Sequence, residues 1–328
     1  MLDKYIGFDI GGTKCAVCIG KIENGELEIV GKKVIPTLYN CPEELIDKLI
    51  SELEVLTGLK AKYIGDCYKY AGISCGGPLN EQSGIVLCPP NLPKFINFNI
   101  VEYIESRLNL KAKLLNDANA CALAEHRFGA GKGCKNMVFL TFGTGMGSGL
   151  ILNNELYSGT NSLAGECGHI RLSDDGPIGF GKNGSFEGYC SGGGIKQLGR
   201  EKAKQLLSSG RKCSFCKDID SLDSISAKDI AISAKNGNED AIDIYKTSGH
   251  YLGKALAVLI DILNPERIVI GSIYERSGEL LEEEMYKVLK QECIKESLDN
   301  CKIVKAKLNE NVGDYAAVCA AILASENK

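Results

Sequence analysis

Two glycine-rich turns, each placed directly after a short apolar strand, constrain the fold of this chain most. The first is Gly11-Gly12, which separates predicted strands at 4–10 and 14–20. The second, at 142–149, carries glycine at every other position and lies between two further predicted strands. Because a strand rather than a helix follows the first turn, it is not a Walker P-loop. Either turn alone fits an ordinary loop, but the two together predict a nucleotide gripped from both sides.

The residues around the first turn suit a phosphate group and a hydrated cation. Glycine lets the backbone N–H groups of Gly11 and Gly12 approach an anion closely. Thr13 adds a hydroxyl, Lys14 adds a positive charge, and Asp9 is a candidate ligand for hydrated Mg²⁺. In the second turn the corresponding ATP-binding candidates are Gly143, Thr144, Gly145 and Gly147.

Between and after the turns, predicted strands alternate with predicted helices, which favours an α/β fold. The economical architecture is two related α/β halves, each presenting a glycine turn to a shared cleft. The predicted strands are 27–35, 70–74, 112–115, 137–141, 150–152 and 268–270, and the predicted helices are 42–57, 99–109, 117–128, 192–208, 238–263, 278–291 and 313–325.

Composition excludes several classes of protein. The 328 residues carry a formal net charge of −4, which offers no basic field for nucleic acid or an anionic membrane. No apolar run approaches a membrane span, and the chain enters a predicted strand without a signal peptide. The fifteen scattered cysteines indicate a reducing, cytoplasmic setting rather than a disulfide framework. The spacing of Cys213 and Cys216 fits an incidental loop pair better than a zinc or redox site.

Five motifs occur in an order that is typical of one family. They are DIGGTK (9–14), ISCGGPLN (73–80), NDANACALAEHRFG (116–129), TFGTGMGSG (141–149) and GECGHI (165–170). The chain resembles the ROK family of sugar kinases, in the actin/hexokinase-like ATPase superfamily. The resemblance implies a two-domain actin-like ATPase (ribonuclease H-like) fold with an interdomain cleft. It places a smaller domain at 1–117 and a larger one at 118–312, with the helix at 313–328 returning to the first domain.

The resemblance also implies an activity. ATP with Mg²⁺ would phosphorylate a hexose, first of all glucose to glucose 6-phosphate, in a homodimeric enzyme. Kinases for N-acetylmannosamine, N-acetylglucosamine, fructose or allose are the alternatives, because the family's sugar-binding residues occur across these specificities. A sugar-sensing regulator without catalysis is the remote alternative, since no basic DNA-binding segment precedes Asp9.

Asp117 is the candidate catalytic residue. It stands where a predicted strand ends and a helix begins, and by position alone it reads as a helix cap. Similarity to the catalytic aspartate of the family makes it the expected general base for the sugar hydroxyl. The same resemblance assigns Asn116 as a hydrogen-bond partner of the sugar and places the backbone of Gly77 in the same pocket.

The remaining sugar-binding candidates are Glu166, His169 and Glu187, which match the family's signature positions. Many members also have three cysteines that bind structural zinc with the histidine. Here those positions are Ile178, Phe180 and Ser185, none of which replaces a thiolate, so no zinc is expected. We expect Ile178 and Phe180 to pack this loop through apolar contacts instead. His169, without a metal partner, would then be oriented by another hydrogen bond.

The strand at 268–270 leads to a second departure from the family. Members usually carry two or three glycines after this strand, beside the adenosine. In this chain Gly271 is retained as an ATP-binding candidate, but Ser272 and Ile273 follow it. The adenine contacts are therefore expected to differ.

Overall fold

The computed structural model describes residues 4–326, which form two compact units. Of these residues, 4–133, 149–164 and 307–326 belong to the first unit, and 134–148 and 165–306 to the second. The two compact units are divided at other positions along the chain, and the domain division at residue 117 stays a prediction. Among residues 4–326, no helix combines the length and apolar character needed to cross a membrane.

Strands and helices alternate along the chain, as the sequence predicts. The strands are β1 (Lys4–Ile10), β2 (Lys14–Glu23), β3 (Glu26–Pro36), β4 (Tyr70–Cys75), β5 (Leu79–Asn80), β6 (Ile85–Val86), β7 (Phe98–Asn99), β8 (Lys111–Asn116), β9 (Met137–Leu140), β10 (Ser148–Leu152), β11 (Glu155–Leu156), β12 (Ile178–Gly179), β13 (Lys182–Asn183), β14 (Arg267–Ile270) and β15 (Lys302–Lys305). The helices are α1 (Pro42–Thr57), α2 (Ala61–Cys67), α3 (Ile100–Leu108), α4 (Asp117–Phe128), α5 (Phe186–Tyr189), α6 (Gly192–Ser208), α7 (Ala227–Lys235), α8 (Glu239–Leu263), α9 (Ile273–Ser277), α10 (Glu282–Glu292), α11 (Lys295–Asn300) and α12 (Val312–Glu326).

The first unit is built on a five-stranded sheet in the order β3-β2-β1-β4-β8. Strand β2 pairs antiparallel with both β3 and β1, whereas β1, β4 and β8 run parallel to one another. Helix α12 packs against β1 and β4. A side chain at Gly72 would lie 1.9 Å from the carbonyl oxygen of Ala317, so this position requires glycine for the helix to approach the strand.

The core of the first unit is apolar on the helical and the strand side alike. Leu45, Leu49 and Leu53 recur at helical spacing on α1 and are fully buried with Ile6 and Phe8 of β1. Pro42 begins α1, and Gly58 ends it in the left-handed conformation that favours glycine. This packing holds the sheet in place. The carboxyl ends of its parallel strands lie at the same end of the sheet.

The second unit contains three parallel strands, with β14 between β9 and β15. All four residues of β9 are buried, as is typical of a strand covered on both faces. The long helix α8 begins at the cap residue Asn238, whose side chain accepts the N–H of Ala241, and it packs against α10. The glycine-rich turn at 142–147 leaves β9, and the Gly271-Ser272 turn leaves β14.

Candidate functional site

The first glycine turn is closed by a residue from outside its own hairpin. Thr37 donates its backbone N–H to the carbonyl of Thr13 at 3.0 Å and its hydroxyl to the carbonyl of Gly11 at 2.7 Å. Gly12, Thr13 and Lys14 remain exposed. The turn therefore has fixed carbonyls and a solvent-facing side that carries a hydroxyl and a positive charge, which suits an anion.

Asp9 lies near the end of β1 and is half-buried. Desolvation raises the pKa of its carboxyl from the usual 3.8 to about 6, with the neighbouring Asp314 and Asp117 adding to the rise and Lys32 and Lys14 opposing it. A carboxylate whose negative charge is this poorly compensated gains from a cation. Within residues 4–326, no group of three or more metal-ligating side chains is present. Because Mg²⁺ is commonly held by one or two carboxylates with waters and phosphates, Asp9 fits a hydrated Mg²⁺.

Asn116 and Asp117 form the junction between β8 and α4. The Oδ1 atoms of both side chains accept the N–H of Ala118, at 3.0 Å and 2.8 Å. The capping role is therefore present, and Asn116 shares it with Asp117. Asp117 is exposed, yet the protein around it raises the pKa of its carboxyl by desolvation, against the opposing hydrogen bond from Ala118.

The loop after β4 lies next to this junction. A side chain at Gly76 would lie 3.7 Å from Oδ2 of Asp117, and one at Gly77 would lie 3.2 Å from Nδ2 of Asn116. The structure therefore brings Gly77, Asn116 and Asp117 together. One oxygen of Asp117 is engaged at the helix start, and the other faces the glycine loop.

The second glycine turn is braced on the start of α6. The N–H of Gly192 donates to the carbonyl of Gly143 at 2.7 Å, and the N–H of Gly193 donates to that of Thr144 at 3.1 Å. Within the turn, the N–H of Gly147 donates to Oγ1 of Thr141 at 2.8 Å. The brace fixes the backbone of Gly143 and Thr144, two of the sequence-predicted ATP-binding residues.

The turn after β14 lies against this second glycine turn. The N–H of Gly271 donates to the carbonyl of Leu140, and Oγ of Ser272 lies 3.7 Å from the position that a side chain on Gly143 would take. Ser272 has a φ of 54°, in the left-handed region that favours glycine. The structure thus brings Gly271 to the second turn and shows local strain at the position where the family usually has glycine.

Glu187 contacts the second glycine turn. Its Oε2 accepts the N–H of Met146 at 3.0 Å, and a side chain at Gly145 would lie 2.7 Å from that oxygen. Glu166 directly precedes a short 3₁₀ turn at Cys167–His169, and Glu166 is exposed whereas His169 is half-buried. This 3₁₀ turn also approaches Glu187, since a side chain at Gly168 would lie 3.5 Å from the Cβ of Glu187. The second unit therefore holds Glu166, His169 and Glu187 in one region.

The loop that replaces the cysteines differs from the prediction. Ile178 and Phe180 are 52% and 67% exposed, so the expectation that they pack the loop apolarly is wrong. Strands β12 and β13 pair over two residues each and form a hairpin too short to bury either side chain. Ser185 is buried and caps α5 by accepting the N–H of Gly188 at 3.1 Å. The absence of zinc stays a prediction.

An aromatic contact holds the ring of His169. The ring of Phe180 meets it edge to face, with the centroids 4.9 Å apart and the planes at 73°. Lys182 in addition donates to the carbonyl of His169 at 2.7 Å. The sequence predicts a hydrogen bond as the means of orienting this ring, whereas the contact found in the structure is aromatic.

The motifs do not identify Thr37, which closes the first turn, or Glu81, a buried carboxylate beside the Asn116–Asp117 junction. Thr37 lies in a loop after β3 without any sequence signal. Glu81 directly follows the ISCGGPLN motif, and that position is the one available hint. Cys213 and Cys216 are both free thiols, paired through their backbones in a tight turn.

Comparison with known proteins agrees with the motifs. The model of the ROK family matches residues 5–327. A glucokinase from Thermotoga maritima is 34% identical over 281 residues, which cover 85% of this chain and 84% of that protein. A xylose repressor from Caldicellulosiruptor bescii is 30% identical over 240 residues, which cover 73% of this chain and 59% of the repressor.

The solved structures give the same result for the fold. A ROK family glucokinase from Streptomyces griseus, in complex with glucose and AMPPNP, has a TM-score of 0.73 with 28% identity, and the match covers both chains completely. The α/β fold is thus the actin-like ATPase fold that the sequence predicts. Since the family model spans nearly the whole chain and the T. maritima glucokinase is more than 30% identical over most of it, the chain belongs to the ROK family.

Proposed function

We propose that the chain is an ATP-dependent hexose kinase that converts glucose to glucose 6-phosphate. The observation that carries the proposal is the position of Asp117, whose Oδ2 faces the Gly76-Gly77 loop while Oδ1 accepts the helix N–H. The similarity to glucokinases supports the substrate class. Glucose is the first choice because two of the compared proteins are glucokinases and one of them was solved with glucose and AMPPNP.

In the proposed reaction, Asp117 acts as general base. The carboxylate accepts the proton of the sugar hydroxyl while the hydroxyl oxygen forms a bond to the γ-phosphorus, and the bond from that phosphorus to the bridging oxygen breaks to release ADP. The raised pKa of Asp117 makes its carboxylate a stronger proton acceptor than an ordinary aspartate. Most of the remaining rate enhancement comes from positioning and from neutralising phosphate charge.

The two glycine turns are the proposed ATP-binding elements. Gly11, Gly12, Thr13 and Lys14 supply backbone N–H groups, a hydroxyl and a positive charge, and Asp9 would hold hydrated Mg²⁺. Mg²⁺ when bound neutralises negative charge on the phosphates. Gly143, Thr144, Gly145, Gly147 and Gly271 are the proposed residues of the second turn region.

The proposed sugar-binding residues supply both acceptors and donors. Glu166 and Glu187 offer carboxylates, His169 offers a ring nitrogen in either role, and the side-chain amide of Asn116 offers N–H groups. Vicinal hydroxyls need such a mixed set, because each hydroxyl both donates and accepts. The same set suits another hexose or an N-acylhexosamine, and those kinases are the second candidate.

A sugar-responsive regulator is the third candidate, and the similarity to a xylose repressor favours it. The assay that separates the candidates is ADP release from Mg–ATP with glucose, mannose, fructose, allose, N-acetylglucosamine and N-acetylmannosamine. Strong ADP release with glucose supports the proposal, and release with a different sugar replaces the substrate. Calorimetric sugar binding without ADP release for any sugar would support the regulator.

A further inference from the structure

Glu81 is a buried carboxylate that the proposed reaction does not use directly. It is 8% exposed and directly follows the short strand β5. Its Oε1 accepts the backbone N–H of Asn116 at 2.9 Å and Nδ2 of Asn119 at 2.8 Å, and its Oε2 accepts the hydroxyl of Ser158 at 2.7 Å. Both oxygens are therefore engaged, and charge-assisted hydrogen bonds of this kind are among the stronger ones in proteins.

The partners of Glu81 come from three separate segments of the first unit. Asn116 ends β8, Asn119 lies in the first turn of α4, and Ser158 follows β11. Strand β8 is the edge strand of its sheet, so its outward-facing N–H groups lack a strand partner. Glu81 supplies the missing acceptor at the last residue before Asp117.

The hydrogen bond to Asn116 bears on the candidate base through the backbone. The side chains of Asn116 and Asp117 both accept the N–H of Ala118, so the path of the chain from 116 to 118 orients both. Glu81 fixes the beginning of that path and, through Asn119, the first turn of α4. The amide of Asn119 is held in one orientation, because its flipped form would turn a carbonyl oxygen toward the carboxylate.

We propose that Glu81 is a positioning residue, which holds the Asn116–Asp117 junction in the geometry that sugar phosphorylation requires. The proposal rests on the proposed kinase activity. Its chemical content is that Asp117 and Asn116 keep their side-chain directions only while a side-chain oxygen at position 81 accepts the Asn116 N–H.

The chain offers a matched control at the other end of α4. Glu125 is fully buried and accepts three backbone N–H groups, from Ala130 at 2.6 Å, Lys307 at 3.0 Å and Leu308 at 2.8 Å. Glu125 lies on α4, the helix that Glu81 contacts through Asn119, and it accepts three hydrogen bonds as Glu81 does. Its removal should cost stability without affecting the Asp117 end.

The first test compares the kinetics of Glu81→Ala, Glu81→Gln and Glu125→Ala in the full chain, below the unfolding temperature of each variant. We expect Glu81→Ala to lower kcat about 10- to 100-fold, with the KM for ATP within about twofold of wild type. Glu81→Gln keeps an acceptor oxygen for the Asn116 N–H and should restore kcat to within about threefold. Glu125→Ala should leave kcat within about twofold.

Three kinetic outcomes would overturn the proposal. One is an unchanged kcat in Glu81→Ala, and another is an equal loss in Glu125→Ala, which would reduce Glu81 to a stabilising role. If Glu81→Ala does not fold, Ser158→Ala removes a single donor to the same carboxylate. An unchanged kcat in Ser158→Ala would then be the third overturning outcome.

A second measurement does not depend on catalysis. Amide hydrogen exchange at residues 114–119 should be at least tenfold faster in Glu81→Ala than in wild type and unchanged in Glu125→Ala. If wild type phosphorylates no sugar while this exchange result holds, the proposed function fails and the contact itself stands. If wild type is active and the exchange at 114–119 does not change, the positioning role fails alone.

Discussion

The acidic candidates of the first unit lie at strand ends of a sheet, whereas the sugar-binding candidates of the second unit lie on or beside short turns and a short helix. Asp9 and Asp117 lie at the carboxyl ends of the parallel strands β1 and β8, the end of a sheet where α/β proteins commonly bind ligands. Glu166 directly precedes a three-residue 3₁₀ turn that His169 ends, and Glu187 lies on the four-residue helix α5. The two sets therefore differ in how strongly the fold fixes them.

The difference matches the two tasks that we propose. A group that transfers a proton needs a fixed direction, which a strand end and a helix start provide. Residues that select among sugars can lie on loops that change without disturbing the core. We therefore expect substitutions in the first set to change kcat or the pH dependence of stability. Substitutions in the second set should change the KM for sugar.

The largest expected effect is that of Asp117→Ala. Loss of the general base should lower kcat about 10²- to 10⁴-fold, while calorimetry should show sugar affinity within about threefold of wild type. Asp117→Asn serves as the control of similar shape and should be equally inactive. A kcat within tenfold of wild type in either variant would remove Asp117 as the base and with it the contrast between the two sets.

The second prediction concerns stability and the pH dependence of Asp9. Its pKa is about 6 in the folded chain against the usual 3.8, so the stability contribution of this group is fully present below pH 3.8 and is lost as the pH rises through 6. Asp9→Asn should therefore raise the free energy of unfolding at pH 7.5 by at most about 3 kcal/mol, and the gain should vanish near pH 4. Urea unfolding in EDTA measures both values. A variant less stable than wild type at pH 7.5 would contradict the charge argument.

Much of the fold can be predicted because local patterns determine it. The apolar spacing of α1 and the glycine turns identify elements whose observed bounds are close to the predicted ones, and the bounds of α6 and α8 agree closely as well. Helix α10 begins at Glu282 rather than 278, because Gly278–Leu280 form a separate 3₁₀ turn. The sequence does not predict short or weakly patterned elements such as α2, α11 and β15, since their few residues give no clear period.

The parts of the site that escape prediction depend on partners distant in the chain. Glu81 bonds to residues 35 to 77 positions away, and Thr37 closes a turn 26 positions before it. Only the tertiary fold makes these pairs neighbours. For Phe180 the sequence predicts a contact that the fold does not provide. An apolar side chain predicts burial, but a hairpin with two residues in each strand is too small to cover it.

The third prediction separates two roles of Glu187. Glu187→Gln keeps an acceptor oxygen for the N–H of Met146 but loses the charge, so the KM for sugar should rise about 3- to 10-fold with the KM for ATP nearly unchanged. Glu187→Ala also removes the brace on the second glycine turn, and both KM values should rise. Steady-state kinetics of the pair give the answer. A rise confined to ATP in Glu187→Gln would assign the residue to the nucleotide and not to the sugar.

The smallest expected effect is that of Phe180→Ala. An edge-to-face aromatic contact is worth about 0.5–1.5 kcal/mol, and the exposure of Phe180 puts this one at the low end. The KM for sugar should therefore rise only about two- to threefold, with kcat unchanged. Ile178→Ala, on the same hairpin and also exposed, is the control and should change neither constant. A rise above tenfold, or a loss of kcat, would mean that His169 needs a fixed direction as Asp117 does, and the two sets of residues would no longer differ in what the fold demands of them.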